Sequence, residues 1–312
     1  MKASPTCDLY ILSAVTDLAF IERTIPHQIR NCNISSGNRY LVVDTAEISG
    51  YYSKNREINS LDNLLEIGYR LKNSGIIDEV IQIDYQNPVK KKEYNNHFGR
   101  NYPETHCFRG YPYWGSILPF EHSDSDYIAH LDSDMLVYQD PDYDWIKEAI
   151  DLMERDKDIV CCLPLSGPPT QDLSLFQHGN EYTYDSRGFY RFKDFTSRIF
   201  VMHKERFLNI CPMNISWLSW REPIKSRLFG NGKMLCWEVT VTRAIEKSKY
   251  WRADLASPKA WSLHPPERGE RFNKYLSEII KLVEAGVFPQ EQSGHYDLNL
   301  DWWEEMISKR AK

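Results

Sequence analysis

Three short apolar runs, separated by two helical patterns, constrain how residues 1–85 can fold more than any other feature of this chain. Residues 8–15 (DLYILSAV), 39–46 (RYLVVDTA) and 78–85 (DEVIQIDY) have the length and apolar content of buried strands. Residues 18–32 (LAFIERTIPHQIRNC) carry amphipathic helix spacing that Pro26 interrupts. Residues 61–75 (LDNLLEIGYRLKNSG) place Leu61, Leu64, Leu65 and Leu71 on one helical face, with Ser60 as the cap and Gly75 at the stop. Strand, helix, strand, helix, strand predicts an α/β fold, a mostly parallel sheet flanked by helices, whose ligands gather at the carboxyl ends of the strands. Asp44 and Asp84 lie at such ends and are candidate ligand-binding residues.

At 312 residues a single domain is expected. Lys and Arg number 38 against 44 Asp and Glu, a net charge of -6, which offers no overall basic footprint for nucleic acid or an anionic membrane. An anionic ligand therefore needs local devices such as a metal or a helix N-terminus. No run is long and apolar enough to predict a transmembrane segment, and the apolar run 9–15 meets Thr16 and Asp17 without a signal-peptide cleavage pattern. The seven cysteines are scattered and odd in number, with no C-x-x-C pair, which predicts reduced thiols and a cytoplasmic protein, Cys161 and Cys162 lying on a buried strand. The triplets Asn33-Ile34-Ser35 and Asn214-Ile215-Ser216 then read as chance glycosylation matches.

The tripeptide Asp-Ser-Asp occurs twice, at 124–126 and at 132–134. The first copy precedes the apolar run YIAHL, as expected of a turn-capping element. The second follows that run, so the strand-end rule turns it toward the ligand crevice. In an extended segment Asp132 and Asp134 would project to one side, with Ser133 turned away, and offer two carboxylates to one Mn²⁺ or Mg²⁺ ion.

Elsewhere, residues 86–113 are rich in Asn, Lys, Tyr, Pro and Gly and read as a long loop, with Lys90, Lys91 and Lys92 on its solvated surface. Residues 164–195, with Pro168-Pro169, Gly179-Asn180 and many aromatics, read as a second irregular stretch. Residues 197–209 give a strand and the start of a helix. Residues 268–286 give a strong helix with Phe272, Leu276, Ile279 and Val283 on one face and Gly286 at its stop.

The run DYIAHLDSDMLV, an apolar strand passing into Asp-x-Asp, together with the element order before it, resembles the GT-A glycosyltransferases, specifically a distant member of the family 2-like group. The resemblance covers roughly the first half in layout and the second half loosely. It implies a nucleotide-diphosphate sugar donor, a divalent cation bridging Asp132 and Asp134 to the diphosphate, and transfer to a hydroxyl of a glycan or small-molecule acceptor. It divides the single domain into a nucleotide-sugar-binding half (1–138), an irregular acceptor-binding half (139–268) and a C-terminal helical segment (269–312). It carries base recognition to Asp44, although Asp44-Thr45-Ala46-Glu47 replaces the family's usual Asp-Asp-Gly-Ser, and a donor-approaching arginine to Arg109.

If the transfer inverts, a carboxylate must take the acceptor's proton. The family pattern places that acid near a helix start beside an aromatic, and NGKMLCWEVTVTRAIEKS (231–248) offers Glu238 after Trp237. The alternative role for Glu238 is a helix residue paired with Arg243 or Thr242. Glu222 and Asp185 are rival acids. His264, in the loop after a strand within ADLASPKAWSLHPP (253–266), matches a further metal ligand of several such enzymes, and imidazole suits Mn²⁺ better than Mg²⁺. His130 reads as packed and structural. Tyr182, Tyr184, Tyr190, Trp217, Trp220 and Trp237 are candidate sugar platforms, though most such aromatics fill cores. Competing readings are a haloacid-dehalogenase-like phosphatase with Asp132 as nucleophile, a sugar-nucleotide nucleotidyltransferase, and a catalytically silent carbohydrate-binding protein on the same fold.

Overall fold

The computed structural model describes residues 5–34, 36–47, 60–176 and 181–310; Ser35 of the first triplet and the Gly179-Asn180 pair lie outside them. Twelve strands are assigned among the described residues: β1 (Cys7–Ala14), β2 (Arg39–Asp44), β3 (Glu79–Gln82), β4 (Tyr127–Asp132), β5 (Leu136–Gln139), β6 (Ile159–Leu163), β7 (Leu165–Ser166), β8 (Tyr182–Asp185), β9 (Phe189–Phe192), β10 (Ile199–His203), β11 (Trp251–Leu255) and β12 (Ala260–Leu263). Nine of them form one sheet in the order β3-β2-β1-β4-β10-β6-β11-β9-β8, and β5-β12-β7 form a second, smaller sheet.

The first half behaves as its apolar runs dictate. β3, β2, β1 and β4 are parallel neighbours, and their registers bring Ala14 opposite Asp44 and Leu12 opposite Asp132. The carboxyl ends of β1, β2 and β4 therefore share one edge of the sheet. Beyond β4 the direction alternates: β10 is antiparallel to both β4 and β6, β11 is parallel to β6, and β9 is antiparallel to β11. The adjacent Cys161 and Cys162 are buried on β6, and the seven cysteines are free thiols.

Helix Leu61–Asn73 starts at Ser60, whose side chain accepts from the Asp62 N–H, and helix Glu270–Glu284 buries Phe272, Leu276, Ile279 and Val283. Helix Ile21–Arg30 runs unbroken through Pro26. Its buried face compensates for the backbone bond that proline forfeits. Gln28 Nε2 donates to the carbonyls of Asp132 and Met135, both at 2.9 Å, and the Val137 N–H donates to His27 Nε2 at 3.0 Å.

Two expected loops contain regular structure. Residues 89–98 form a helix that buries Tyr94, His97 and Phe98 and ends at left-handed Gly99. Lys91 and Lys92 stay solvated on it, while Lys90 Nζ donates to the Tyr102 carbonyl. Its polar composition hid three buried aromatic-ring residues spaced for one face. Within residues 164–195, β8 and β9 form an antiparallel hairpin pairing Tyr184 with Tyr190, closed through Gly188 at φ 93°. The third strand is shorter than its apolar run, ending at Gln82.

Candidate active site

A cleft opens where β1, β2 and β4 end, lined by residues 12–17, Asp44, His106, Gly110, Tyr111, residues 132–134 and Arg268, among others. Asp132 closes β4, but the tripeptide after it is a turn and not an extended run: the Met135 N–H bonds back to the Asp132 carbonyl at 3.1 Å. Ser133 is consequently not turned away. It is buried on the same cleft wall and donates to Asp17 Oδ2 at 2.9 Å. Asp17, in the short turn after β1, also accepts from the Ala14 N–H at 3.0 Å and from Thr16 Oγ1 at 2.7 Å, so the two strand ends are tied together beneath the cleft.

The two acidic side chains of the tripeptide differ. Asp132 is half-buried, with His130 Nε2 at 3.3 Å. Asp134 is 2% exposed; its Oδ2 accepts from Arg268 Nη1 at 2.5 Å, and its Oδ1 is buried without a hydrogen-bond partner. Burial raises the Asp134 carboxyl above the usual range, opposed by Arg268 and raised further by Asp132. An ionised, buried oxygen lacking a donor is costly unless a cation or a ligand's hydrogen reaches it. The donor set thus fits a hard divalent ion at Asp132 and Asp134. Among the described residues no three His, Cys, Asp or Glu are grouped to hold a metal, so the remaining ligands would come from phosphate oxygens and water. His264 follows β12 but is not on the cleft wall; its Nδ1 is bonded to Asp297 Oδ1 at 2.8 Å, and its ring stacks on Tyr296.

Asp44 lies on the cleft wall, bonded to Tyr85 Oη at 2.8 Å and His106 Nε2 at 3.0 Å. Asp84 does not: it is exposed and accepts from the Gln86 N–H in a local turn. Arg109 is exposed beside Phe108, off the wall that its neighbours Gly110 and Tyr111 help to form. Among the described residues of the cleft wall, the guanidinium is that of Arg268. Of the first acidic tripeptide, Asp126 is exposed at the start of β4 and accepts from the Thr6 N–H.

A second cavity adjoins through the β10 side of the sheet, where the Asp132 N–H donates to the Arg198 carbonyl at 2.7 Å, and is lined by Ser166, Asp194, Thr196, Arg198, Glu238 and Arg252, with Phe176 and residues 295–297. Helix Trp237–Glu246 delivers Glu238: Trp237 is locked among Phe195, Phe200 and Phe207, which turns the next residue toward the cavity. Burial raises the Glu238 carboxyl, opposed by Arg198 and raised further by Asp132, which ties this acid electrostatically to the first cleft. Arg243 is not its partner, since it donates to Ser216 Oγ at 2.9 Å, and Thr242 Oγ1 is taken by the Phe195 N–H. The rival acids are structural: Glu222 pairs with Lys225, and Asp185 with Arg187 and Arg191. Arg252 is held bidentately by Asp254 and singly by Asp194 at 3.0 Å, and lies over the Phe192 ring. Of the aromatic candidates, Trp237 and Tyr190 are core residues, whereas Tyr184 and Trp220 are exposed. Asp17, Arg198, Arg252 and Arg268 stand at these cavities without any sequence pattern to mark them.

No family model and no curated protein matches the chain. Among solved structures it is similar to the crystal structure of GalNAc-T7 with UDP, GalNAc and Mn²⁺ (11% identity, 85% of this chain and 44% of that chain, TM-score 0.49) and to that of S. aureus TarS (11% identity, 89% and 39%, TM-score 0.42). The chain spans less than half the length of either.

Proposed function

We propose that this chain is a metal-dependent glycosyltransferase that moves a sugar from a nucleotide diphosphate to an acceptor hydroxyl with inversion. The observation that carries the reading is the buried, unpartnered Oδ1 of Asp134 beside Asp132 at the end of β4, in a cleft that adjoins the cavity holding the raised carboxyl of Glu238. The donor's diphosphate would lie along the strand ends, where Asp132 and Asp134 would hold Mn²⁺ or Mg²⁺. Such an ion neutralises charge developing on a leaving phosphate. Asp44 and His106 would receive the base or ribose, and Arg268 opposes the rise that burial imposes on the Asp134 carboxyl.

In the adjoining cavity Glu238 would accept the acceptor's hydroxyl proton while that oxygen bonds the anomeric carbon. The anomeric carbon's bond to the diphosphate oxygen breaks, and its electron pair leaves with the phosphate. A raised carboxyl is the better base for a sugar hydroxyl, because its proton affinity lies nearer the working pH. Arg198 and Thr196 would orient Glu238.

Thermal unfolding with nucleotide-diphosphate sugars, with and without Mn²⁺, tests the donor reading. A ligand at a hundredfold its Kd stabilises by about 2.7 kcal/mol. Asp134→Ala is expected to abolish the Mn²⁺-dependent gain with the fold intact, and Asp126→Ala to leave it in place. Equal loss in both variants would reject the cleft as the metal and donor site.

A further inference from the structure

Helix Glu222–Phe229 presents the wrong face to water. Glu222 and Ser226 are buried: Ser226 Oγ donates to Glu104 Oε2 at 2.7 Å, and the Lys233 N–H donates to Glu222 Oε2 at 3.0 Å. Ile224, Leu228 and Phe229 are exposed instead, as are Leu218 and Trp220 just before them; Trp220 is 74% and Phe229 72% exposed. A helix on a water-facing surface buries the opposite set. Large apolar side chains clustered in the open mark a contact surface.

The surroundings of this face identify its partner. From Leu218 to Lys233 the chain carries Arg221, Lys225, Arg227 and Lys233 against one acid, the buried Glu222, in a chain of net charge -6. Basic residues interleaved with Trp, Phe and Leu are the composition of a segment lying in a membrane interface, where apolar side chains enter the acyl boundary and cations meet anionic headgroups. A second copy fits poorly, because a twofold contact would set like charges against each other. Side chains with about three-quarters of their area in water protrude instead of walling a groove, which suits a deformable lipid surface better than a folded partner. We infer that this helix and Trp220 dock the protein onto a bilayer bearing anionic headgroups.

Docking there would set the active-site cleft close to the membrane. Leu218 N–H bonds to the Lys233 carbonyl, and Phe108 N–H to the Met234 carbonyl, which ties the segment to the loop carrying Gly110 and Tyr111 on the cleft wall. The inference does not depend on the reaction proposed above.

Vesicle co-sedimentation tests it, comparing phosphatidylcholine alone with phosphatidylcholine containing about one-third phosphatidylserine, a composition whose surface charge attracts basic segments. The wild-type chain should pellet with the anionic vesicles only, and raised salt should release it. Arg221→Glu with Arg227→Glu should lower partitioning by at least about fivefold for each cation lost. Trp220→Ala with Phe229→Ala should also abolish pelleting, and both variants should unfold at the wild-type temperature because the altered side chains are exposed. On binding, Trp220 emission should shift to the blue, read as the difference from Trp220→Phe. A wild-type chain that stays in the supernatant overturns the inference, as does equal pelleting with neutral vesicles. So does a concentration-dependent dimer in sedimentation velocity that Trp220→Ala with Phe229→Ala dissolves.

Discussion

Glu238 sets the sharpest expectation at the scale of one residue. Its carboxyl is raised by burial, and a general base works only when deprotonated. Turnover should therefore fall as pH drops through a value above the ordinary 4.5 of a glutamate, with a slope of one proton. Glu238→Gln should lower turnover by about 10²–10⁴-fold and erase that acidic limb, with donor affinity nearly unchanged. The product's anomeric configuration should be opposite to the donor's; retention seen by proton NMR would remove Glu238 from the role. A second residue-scale expectation concerns the thiols of Cys107 and Cys236, which lie 3.5 Å apart at the N-terminal end of the Glu238 helix. The Cys236 hydrogen bond, with the N–H groups of Arg109, Tyr111 and Gly110, brings the Cys107 thiol down to about 6. Cys236→Ala removes the largest of these causes, so ultraviolet titration should show Cys107 ionising at distinctly higher pH. An unchanged titration would mean that the backbone donors alone suffice.

Between elements, His27 joins helix Ile21–Arg30 to two partners at once. Its Nε2 accepts from the Val137 N–H at the start of β5, so its Nδ1 carries the proton donated to Glu284 Oε1 at 2.8 Å on helix Glu270–Glu284. Burial depresses His27 below its ordinary 6.5, while its own hydrogen bond and Arg30 bring Glu284 down to about 2. Both shifts have the same sign for stability: the unfolded chain binds the extra protons. Stability should thus begin to fall as pH drops below 6.5 and keep falling until Glu284 protonates near pH 2. His27→Ala, which strands the Val137 N–H and opens a cavity, should cost about 2–4 kcal/mol in denaturant unfolding at pH 7 and flatten the upper part of that profile. A pH profile identical to the wild type would show that the junction is not the acid-sensitive element. The same helix carries Gln28, whose amide clamps both ends of the Asp132–Met135 turn, so loosening it should also weaken metal-dependent donor binding.

For the whole molecule, one sheet carries two cavities whose supports are separate. The cleft at β1, β2 and β4 rests on the parallel block, and the Glu238 cavity on β10, β6, β11 and the hairpin beyond them. Tyr182 Oη, on that hairpin, meets the Leu175 N–H next to Phe176, which lines the second cavity. Tyr182→Ala with Tyr184→Ala should therefore lower transfer to the acceptor while metal-dependent donor binding persists; lost donor affinity would place the hairpin over the nucleotide instead. The parallel block was readable in the chain because apolar periodicity is local: each run needs only its own residues to declare a strand, and a strand's last carboxylate then has a known address, as Asp44 and Asp132 have. Local composition misled where it was read without a partner, making a loop of the helix that buries Tyr94 and Phe98 and an extended pair of the turn that Gln28 holds. The guanidinium of Arg268 on Asp134, the anchoring of Asp17 and the meeting of Arg198 with Glu238 had no local signature at all. They join residues far apart in the chain, and only the pairing of β1 and β10 with β4, the docking of helix Trp237–Glu246 and that of the helix after Arg268 bring them within reach of one another. Hydrophobic patterning determined which segments form the sheet; the long-range packing of that sheet decided which charges face each other at its edge.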